Sequence, residues 1–302
     1  MKNKNQNPQF KTVASDFVNN AYLDFMLSRQ AMMCTDRTID WYRYILGKII
    51  DWLVGHNVNE PEQISSKHIR AFLAEMAERG CADSYMHTYA RAMKTFSRFM
   101  LDEEYISKPI SFPMPKIAEK RLRVYDENQV RQILTACQDN RETAFIRFMV
   151  DTGLRNAEVR NLKWRDIEIS SGVVRIHKGK GRKSRIVIVG LNTRRALLKY
   201  RREVDNSDSK PLFQTETGKQ FTESGLRSWL CRLGKRAKIH ITPHALRRTF
   251  ATLSLKAGMN VFQLQGLLGH STLEITRHYV TLLDEDLIDA HQKHGPIDNL
   301  LA

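Results

Sequence analysis

The sequence predicts a mainly α protein of two domains. A four-helix N-terminal domain is followed by a mostly helical second domain that carries a small antiparallel β-sheet. Three observations lead there. Apolar residues recur with helical spacing through the first hundred positions. A proline-bearing stretch then breaks the period. Beyond it, a single segment alternates in the manner of strands.

In the first domain, "VASDFVNNAYLDFMLSRQAM" places Val13, Phe17, Leu23 and Met26 near one helical face. "RTIDWYRYILGKIIDWLVG" spaces Trp41, Ile45, Ile49 and Trp52 by four and three residues and stops at Gly55. "SSKHIRAFLAEMAERG" has Ser66 as N-cap and Gly80 as stop signal. "DSYMHTYARAMKTFSRFMLDEEY" is the fourth helix. Short connections make these a bundle, with Lys67, Arg70, Arg91 and Lys94 as either a solvated or a DNA-facing surface. "ISKPISFPMPKIAEKRLRVYD" contains three prolines and no helical period, so residues 107–122 read as an interdomain linker. The domains are therefore expected at 1–106 and 123–302.

The second domain opens at "DENQVRQILTAC", where Asp126 and Gln129 have capping-box spacing. Helices run to "FIRFMVDTG", ended by Gly153. In "GVVRIHKGKGRKSRIVIVG", the runs Val173–His177 and Arg185–Val189 flank a basic turn and read as a β-hairpin. Further helices are expected in "TRRALLKYRREV", "TESGLRSWLCRLGKRAKI", "PHALRRTFATLSLKAG", "NVFQLQGLLG" and around Tyr279.

Charge narrows the function. Lys plus Arg number 48 against 33 Asp plus Glu, a net +15 with pI near 9.8. That excess favours a polyanionic partner, most simply nucleic acid. Cys34, Cys81, Cys137 and Cys231 are far apart with no CxxC, which excludes the common zinc and redox patterns and reads as free thiols buried in helices. No metal site and no cofactor are expected. There is no phosphate-binding GxxxxGK[ST] loop, no membrane-length apolar run and no secretory leader, so a cytoplasmic setting with no membrane partner follows.

Four constellations carry chemistry. In "TGLRNAEVR", Arg155 follows a helix-ending glycine and Glu158 is three later; an arginine steadied by a carboxylate suits two phosphate oxygens, and the alternative is a surface ion pair worth little. "KGKGRKSR" crowds Lys178, Lys180, Arg182, Lys183 and Arg185 at a hairpin tip that can touch phosphates, or form a basic loop with no fixed role. A lysine there can donate a proton if cationic neighbours or burial lower its pKa. In "TPHALRRTF", Thr242 caps, Pro243 suits the first helical position, and His244 and Arg247 share the anion-favouring first turn. In "GHSTLEITRHYV", His270 occupies the corner after Gly269. Tyr279 stands between Ile275 and Leu282 at helical spacing, which by itself reads as core. The other three constellations make a phosphate site lacking only a nucleophile, and Tyr279 supplies one.

Taken in order, "TGLRNAEV", "GKGRK", "HALR" and "LLGHSTLEITRHY" resemble the tyrosine recombinases, the phage integrase family, across the whole second domain. The first domain resembles the family's SAM-like core-binding domain. The overall length is similar to Xer recombinases and simple mobile-element integrases. The resemblance implies that Tyr279 attacks a DNA phosphodiester to give a 3′-phosphotyrosine without metal or ATP. Arg155 and Arg247 would neutralise the non-bridging oxygens. Lys180 would be the general acid, with Lys178 as its alternative, because the hairpin register admits both. His244 would assist, His270 would hold the phosphate, and Glu158 would support Arg155. The family works as a homotetramer on double-stranded recombination sites, through a Holliday junction, with room for an accessory DNA-bending factor. The stretch Leu287–Leu301 would dock into a neighbouring protomer. Arg227, Arg232, Lys235 and Arg236, with Lys178, Arg182 and Lys183, are the expected DNA contacts, and two linked domains would close as a clamp on the duplex. "TRHYV" and "LRRTFAT" look more like mobile-element integrases than Xer proteins, which favours integration or excision over Xer-type dimer resolution. A catalytically silent DNA-binding relative would be expected to lack one of the six catalytic residues, and all six are in this sequence.

Overall fold

The computed structural model describes residues 17–117, 123–177 and 184–269. The chain divides into two compact units, Met1–Lys120 and Arg121–Ala302.

The first unit contains α1 (Phe17–Ala31), α2 (Asp36–Gly55), α3 (Ser66–Glu78) and α4 (Asp83–Asp102). Thr35 caps α2 by accepting the Thr38 N–H. The N-cap of α3 is Ser65 rather than the expected Ser66, with His68 Nδ1 accepting the Ser65 N–H. The buried stripe of α1 is Val18, Ala21, Tyr22, Phe25 and Met26. Leu23, expected inside, is 55% exposed, because Phe25 takes the central core position and makes edge contacts with Tyr42, Phe96 and Phe99. Ile45 and Ile49 of α2 are fully buried as expected, while Trp41 and Trp52 sit at the core's edge. Val13 lies outside the described residues.

The second unit runs α5 (Glu127–Thr135), α6 (Asn140–Thr152), α7 (Asn156–Asn161), β1 (Ile167–Glu168), β2 (Val173–Ile176), β3 (Arg185–Ile188), α8 (Leu191–Arg201), α9 (Glu223–Ala237), α10 (Pro243–Lys256) and α11 (Val261–Leu268). Asp126 and Gln129 form the expected capping box. The three strands form one antiparallel sheet in the order β1-β2-β3, with Val174 opposite Val187 and Ile176 opposite Arg185. Two-residue β1 is too short to carry a sequence period. Directly opposed residues share a face. Val174, Ile176 and Val187 are buried while Ile186 and Ile188 are 58% and 50% exposed, so Arg185 points inward. The core is built on Phe145, Phe148, Trp164, Tyr200, Phe213 and Trp229, with Phe145 edge-on to both Phe213 and Trp229.

The cysteines depart from the expected helical burial. Cys34 and Cys81 lie in interhelical loops and Cys137 follows α5, all half-buried, while Cys231 alone is helical and is exposed on α9. Among the described residues no helix is long and apolar enough to cross a membrane, and no cluster of three His, Cys, Asp or Glu is placed to hold a metal ion.

Candidate active site

The site is built where three turns meet the end of α11. The first turn follows α6. Gly153 closes that helix in the left-handed region at φ 59°, and a Cβ there would fall 2.2 Å from the Phe250 ring. The chain then turns sharply and presents Arg155 as the N-cap of α7. Glu158, at the third helical position, accepts the Arg155 N–H at 2.8 Å and its Nη1 at 3.1 Å.

The second is the start of α10. Thr242 accepts the Ala245 N–H and Pro243 opens the helix, as the sequence indicates. Arg247 points into the protein, only 5% exposed, and donates to the Gly153 carbonyl at 2.5 Å and the Leu268 carbonyl at 2.9 Å. His244 faces outward from the same turn. Its remaining burial, then the charges of Arg248, Arg247 and Arg155, push its pKa below the ordinary 6.5. The charged imidazolium is therefore disfavoured in the DNA-free protein.

The third is the start of β3, and here sequence reasoning missed a residue. Arg185, counted only as part of a basic tip, forks onto Glu158 with both Nη atoms at 2.8 Å and donates from Nε to the Leu267 carbonyl at 2.8 Å. Its side chain is 10% exposed and that of Glu158 14%. Burial raises the Glu158 pKa, but the Arg185 fork, the Arg155 N–H and both guanidinium charges outweigh it and hold it at about 2. Strand alternation carried part of the signal, since it sets Arg185 in phase with Val187, but not which of the two faces is buried.

These turns converge on the C-terminus of α11. The last carbonyls of a helix have no partner within it and carry the negative end of its dipole. Three in a row are taken by arginines: Leu267 by Arg185, Leu268 by Arg247, and Gly269 by Arg155 Nη2 at 3.1 Å. Gly269 adopts φ 62°, and its N–H donates to the Gln265 carbonyl. The structure thus brings Arg155, Glu158, Arg247 and His244 to one corner, one residue in sequence before His270. Lys178, Lys180, Arg182, Lys183, His270, Tyr279 and the Leu287–Leu301 stretch lie outside the described residues. A cleft of about 400 Å3 adjoins the corner, lined by Arg155, Glu158, Asp166 and His177 among others. His177, the last described residue before the basic turn, lies 3.2 Å from the carboxylate of buried Asp166.

On α9, Arg227, Arg232 and Lys235 are exposed. Arg227 has only a loose 3.8 Å pair with Glu223. Arg236 differs: it is clamped onto both oxygens of buried Glu142 at 2.5 Å and donates to the Ala136 carbonyl. It fastens α9 to the start of α6, a structural role the sequence reading does not contain.

An arginine-rich corner on a mainly helical domain with a small antiparallel sheet is the architecture of an integrase-like fold. Residues 123–286 match the phage integrase family, and residues 22–107 match the phage integrase N-terminal SAM-like domain. The chain belongs to the phage integrase family. Tyrosine recombinase XerA of Saccharolobus solfataricus is 35% identical over 190 residues, 63% of this chain and 62% of that protein. Tyrosine recombinase XerC of Oceanobacillus iheyensis is 28% identical over 282 residues, covering 87% of this chain and 91% of the relative. The Tn1549 transposon integrase, solved in complex with circular intermediate DNA, has the same fold, with a TM-score of 0.71 at 20% identity over 88% of this chain and 95% of that one. With this family and fold, the chain is a tyrosine site-specific recombinase.

Proposed function

We propose that the protein cuts and rejoins DNA at specific sites to integrate or excise a mobile element. Tyr279 Oη forms a bond to the scissile phosphorus as the bond from phosphorus to the 5′-oxygen breaks. The departing oxygen takes a proton from Lys180, with Lys178 as the alternative donor, and the tyrosine proton passes to solvent or to His244. Arg155 and Arg247 balance the charge on the non-bridging oxygens, and His270 holds the phosphate. A free 5′-hydroxyl of a second strand then reverses the step on the new 3′-phosphotyrosine, so no external energy is consumed. One observation supports this reading most. Two arginines separated by 92 positions, Arg155 and Arg247, are brought beside each other by adjacent carbonyls of one helix end, with the exposed His244 on the same turn as Arg247. Fixed cations of this kind stabilise a developing phosphorane without reorganising.

Exposed Arg227, Arg232 and Lys235 on α9 serve as phosphate contacts. Assembly is a homotetramer on two sites, with residues 287–301 docking between protomers. A second reading, resolution of chromosome or plasmid dimers, is favoured by the names of the relatives, which are Xer recombinases. "TRHYV" and "LRRTFAT" support the mobile-element reading instead.

The test is a nicked suicide substrate built from repeats in the DNA flanking the gene. The wild type should form a covalent 3′ adduct and Tyr279→Phe none. Folded wild-type protein that forms no adduct on any flanking repeat overturns the proposal. A substrate drawn from a chromosomal dimer-resolution site, cleaved in preference to the flanking repeats, selects the second reading.

A further inference from the structure

We infer that Arg185 is a positioning residue for strand cleavage, acting through Arg155. The inference rests on the cleavage chemistry proposed above and adds a residue to it. Antiparallel register turns this cation to the inner face of the sheet, opposite Ile176, where a surface arginine has no reason to be. There it touches Glu158, which holds Arg155, and the helix end whose last carbonyl receives Arg155. Its two Nη atoms hold both oxygens of Glu158, and its Nε holds the carbonyl of Leu267, two residues before the Gly269 carbonyl that receives Arg155 Nη2. A Cβ on Gly269 would lie 3.2 Å from the Arg185 side chain, so the helix end rests directly against it.

The electrostatic consequence is specific. Glu158 Oε1 is shared, at 2.8 Å from Arg185 and 3.1 Å from Arg155. With the carboxylate's charge matched by the closer, bidentate fork, Arg155 keeps most of its own positive charge for a phosphate. Arg155 is also the more open of the two, at 40% side-chain exposure against 10%. If Arg185 is removed, the carboxylate turns wholly to Arg155. The guanidinium is then neutralised and pulled back from the place where phosphate charge develops. Lysine cannot replace it, because one ammonium does not span both carboxylate oxygens and a carbonyl.

Single-turnover cleavage by Arg185→Lys and Arg185→Ala tests this on two suicide substrates. One carries a normal scissile phosphodiester, the other an uncharged methylphosphonate at that position. On the phosphodiester, Arg185→Lys should cleave at least tenfold more slowly and Arg185→Ala more slowly still, with DNA affinity within threefold of wild type. On the methylphosphonate, which has less charge to balance, the gap between wild type and Arg185→Lys should shrink to within threefold. A merely structural loss slows both substrates equally, and that result overturns the inference, as does unchanged cleavage of the phosphodiester. If the Ala variant does not fold, the Lys variant decides alone. Absence of any wild-type adduct refutes the cleavage chemistry itself; a wild-type adduct with an unaffected Arg185→Lys refutes only the role of Arg185.

Discussion

Two sets of cations, one in each unit, are held in opposite ways. In the second unit Arg155, Arg185 and Arg247 are tied to helix carbonyls and one carboxylate, each with named acceptors. In the first unit Lys67, Arg70, Arg91 and Lys94 are all exposed, and the contact described for Arg91 is a stacking of its guanidinium 5.2 Å over the Trp41 ring. A long side chain held by two or three hydrogen bonds has already lost its rotamer freedom on folding, so it can serve a transition state without a further entropic cost. A loose one adapts to whatever phosphate is near and is screened by salt. The contrast separates catalysis from affinity within a single excess of positive charge.

The sharpest break of this contrast is at the most buried member. Arg247→Lys keeps the charge but cannot reach both the Gly153 and Leu268 carbonyls, and adduct formation should fall about 100- to 1,000-fold with DNA affinity little changed, read by single-turnover cleavage alongside equilibrium binding. Equal losses in binding and cleavage would erase the distinction between held and loose cations.

The loose set should behave conversely. Replacing Lys67, Arg70, Arg91 and Lys94 together by Gln should weaken binding uniformly across DNA sequences. The slope of log K against log salt should flatten by about 0.9 for each residue that does touch phosphate. The cleavage rate at saturating protein should hold within threefold. An unaltered slope would assign these residues to a solvated face.

The smallest effects are in proton titration. His244 should titrate below 6.5 in the free protein, measured by NMR, because burial and three arginines disfavour its charged form. Glu158 is depressed to about 2, so the stability it contributes is complete above its unfolded pKa of 4.5 and is lost as pH falls from there through about 2. Acid unfolding of Glu158→Gln should accordingly be flatter than wild type across that window. A wild-type-like slope would mean that the Arg185 fork contributes little.

Much of this corner is legible in one dimension because its signals are local. Gly153, Thr242–Pro243 and the Asp126–Gln129 box act over a single turn, and each has the backbone geometry that its residue type favours. Arg155 and Glu158 are three apart, so their pairing also follows from spacing. The misreadings are of another kind. Leu23 fits a helical stripe but lost the inner position to Phe25, since the neighbours on α2 and α4 choose the face. Arg236 reads as one more basic residue of α9 until Glu142, 94 positions earlier, is found against it. Arg185 was hidden by its setting at the end of "KGKGRKSR", where every neighbour favours solvent.

The sequence by itself determined the helical class, most of the caps, the hairpin strands and the order of chemistry-bearing residues, because those depend on periods and spacings within a few turns. Tertiary structure alone decided which face of β3 is inside. "RIVIVG" alternates with period two and offers isoleucines on one side and valines with an arginine on the other, and either side could have been buried. Packing against α11 chose the arginine side, since only there do helix-end carbonyls and a carboxylate wait to satisfy its donors. A buried cation is tolerable only where its hydrogen bonds are met, and those partners come from residues 27 and 82 positions away.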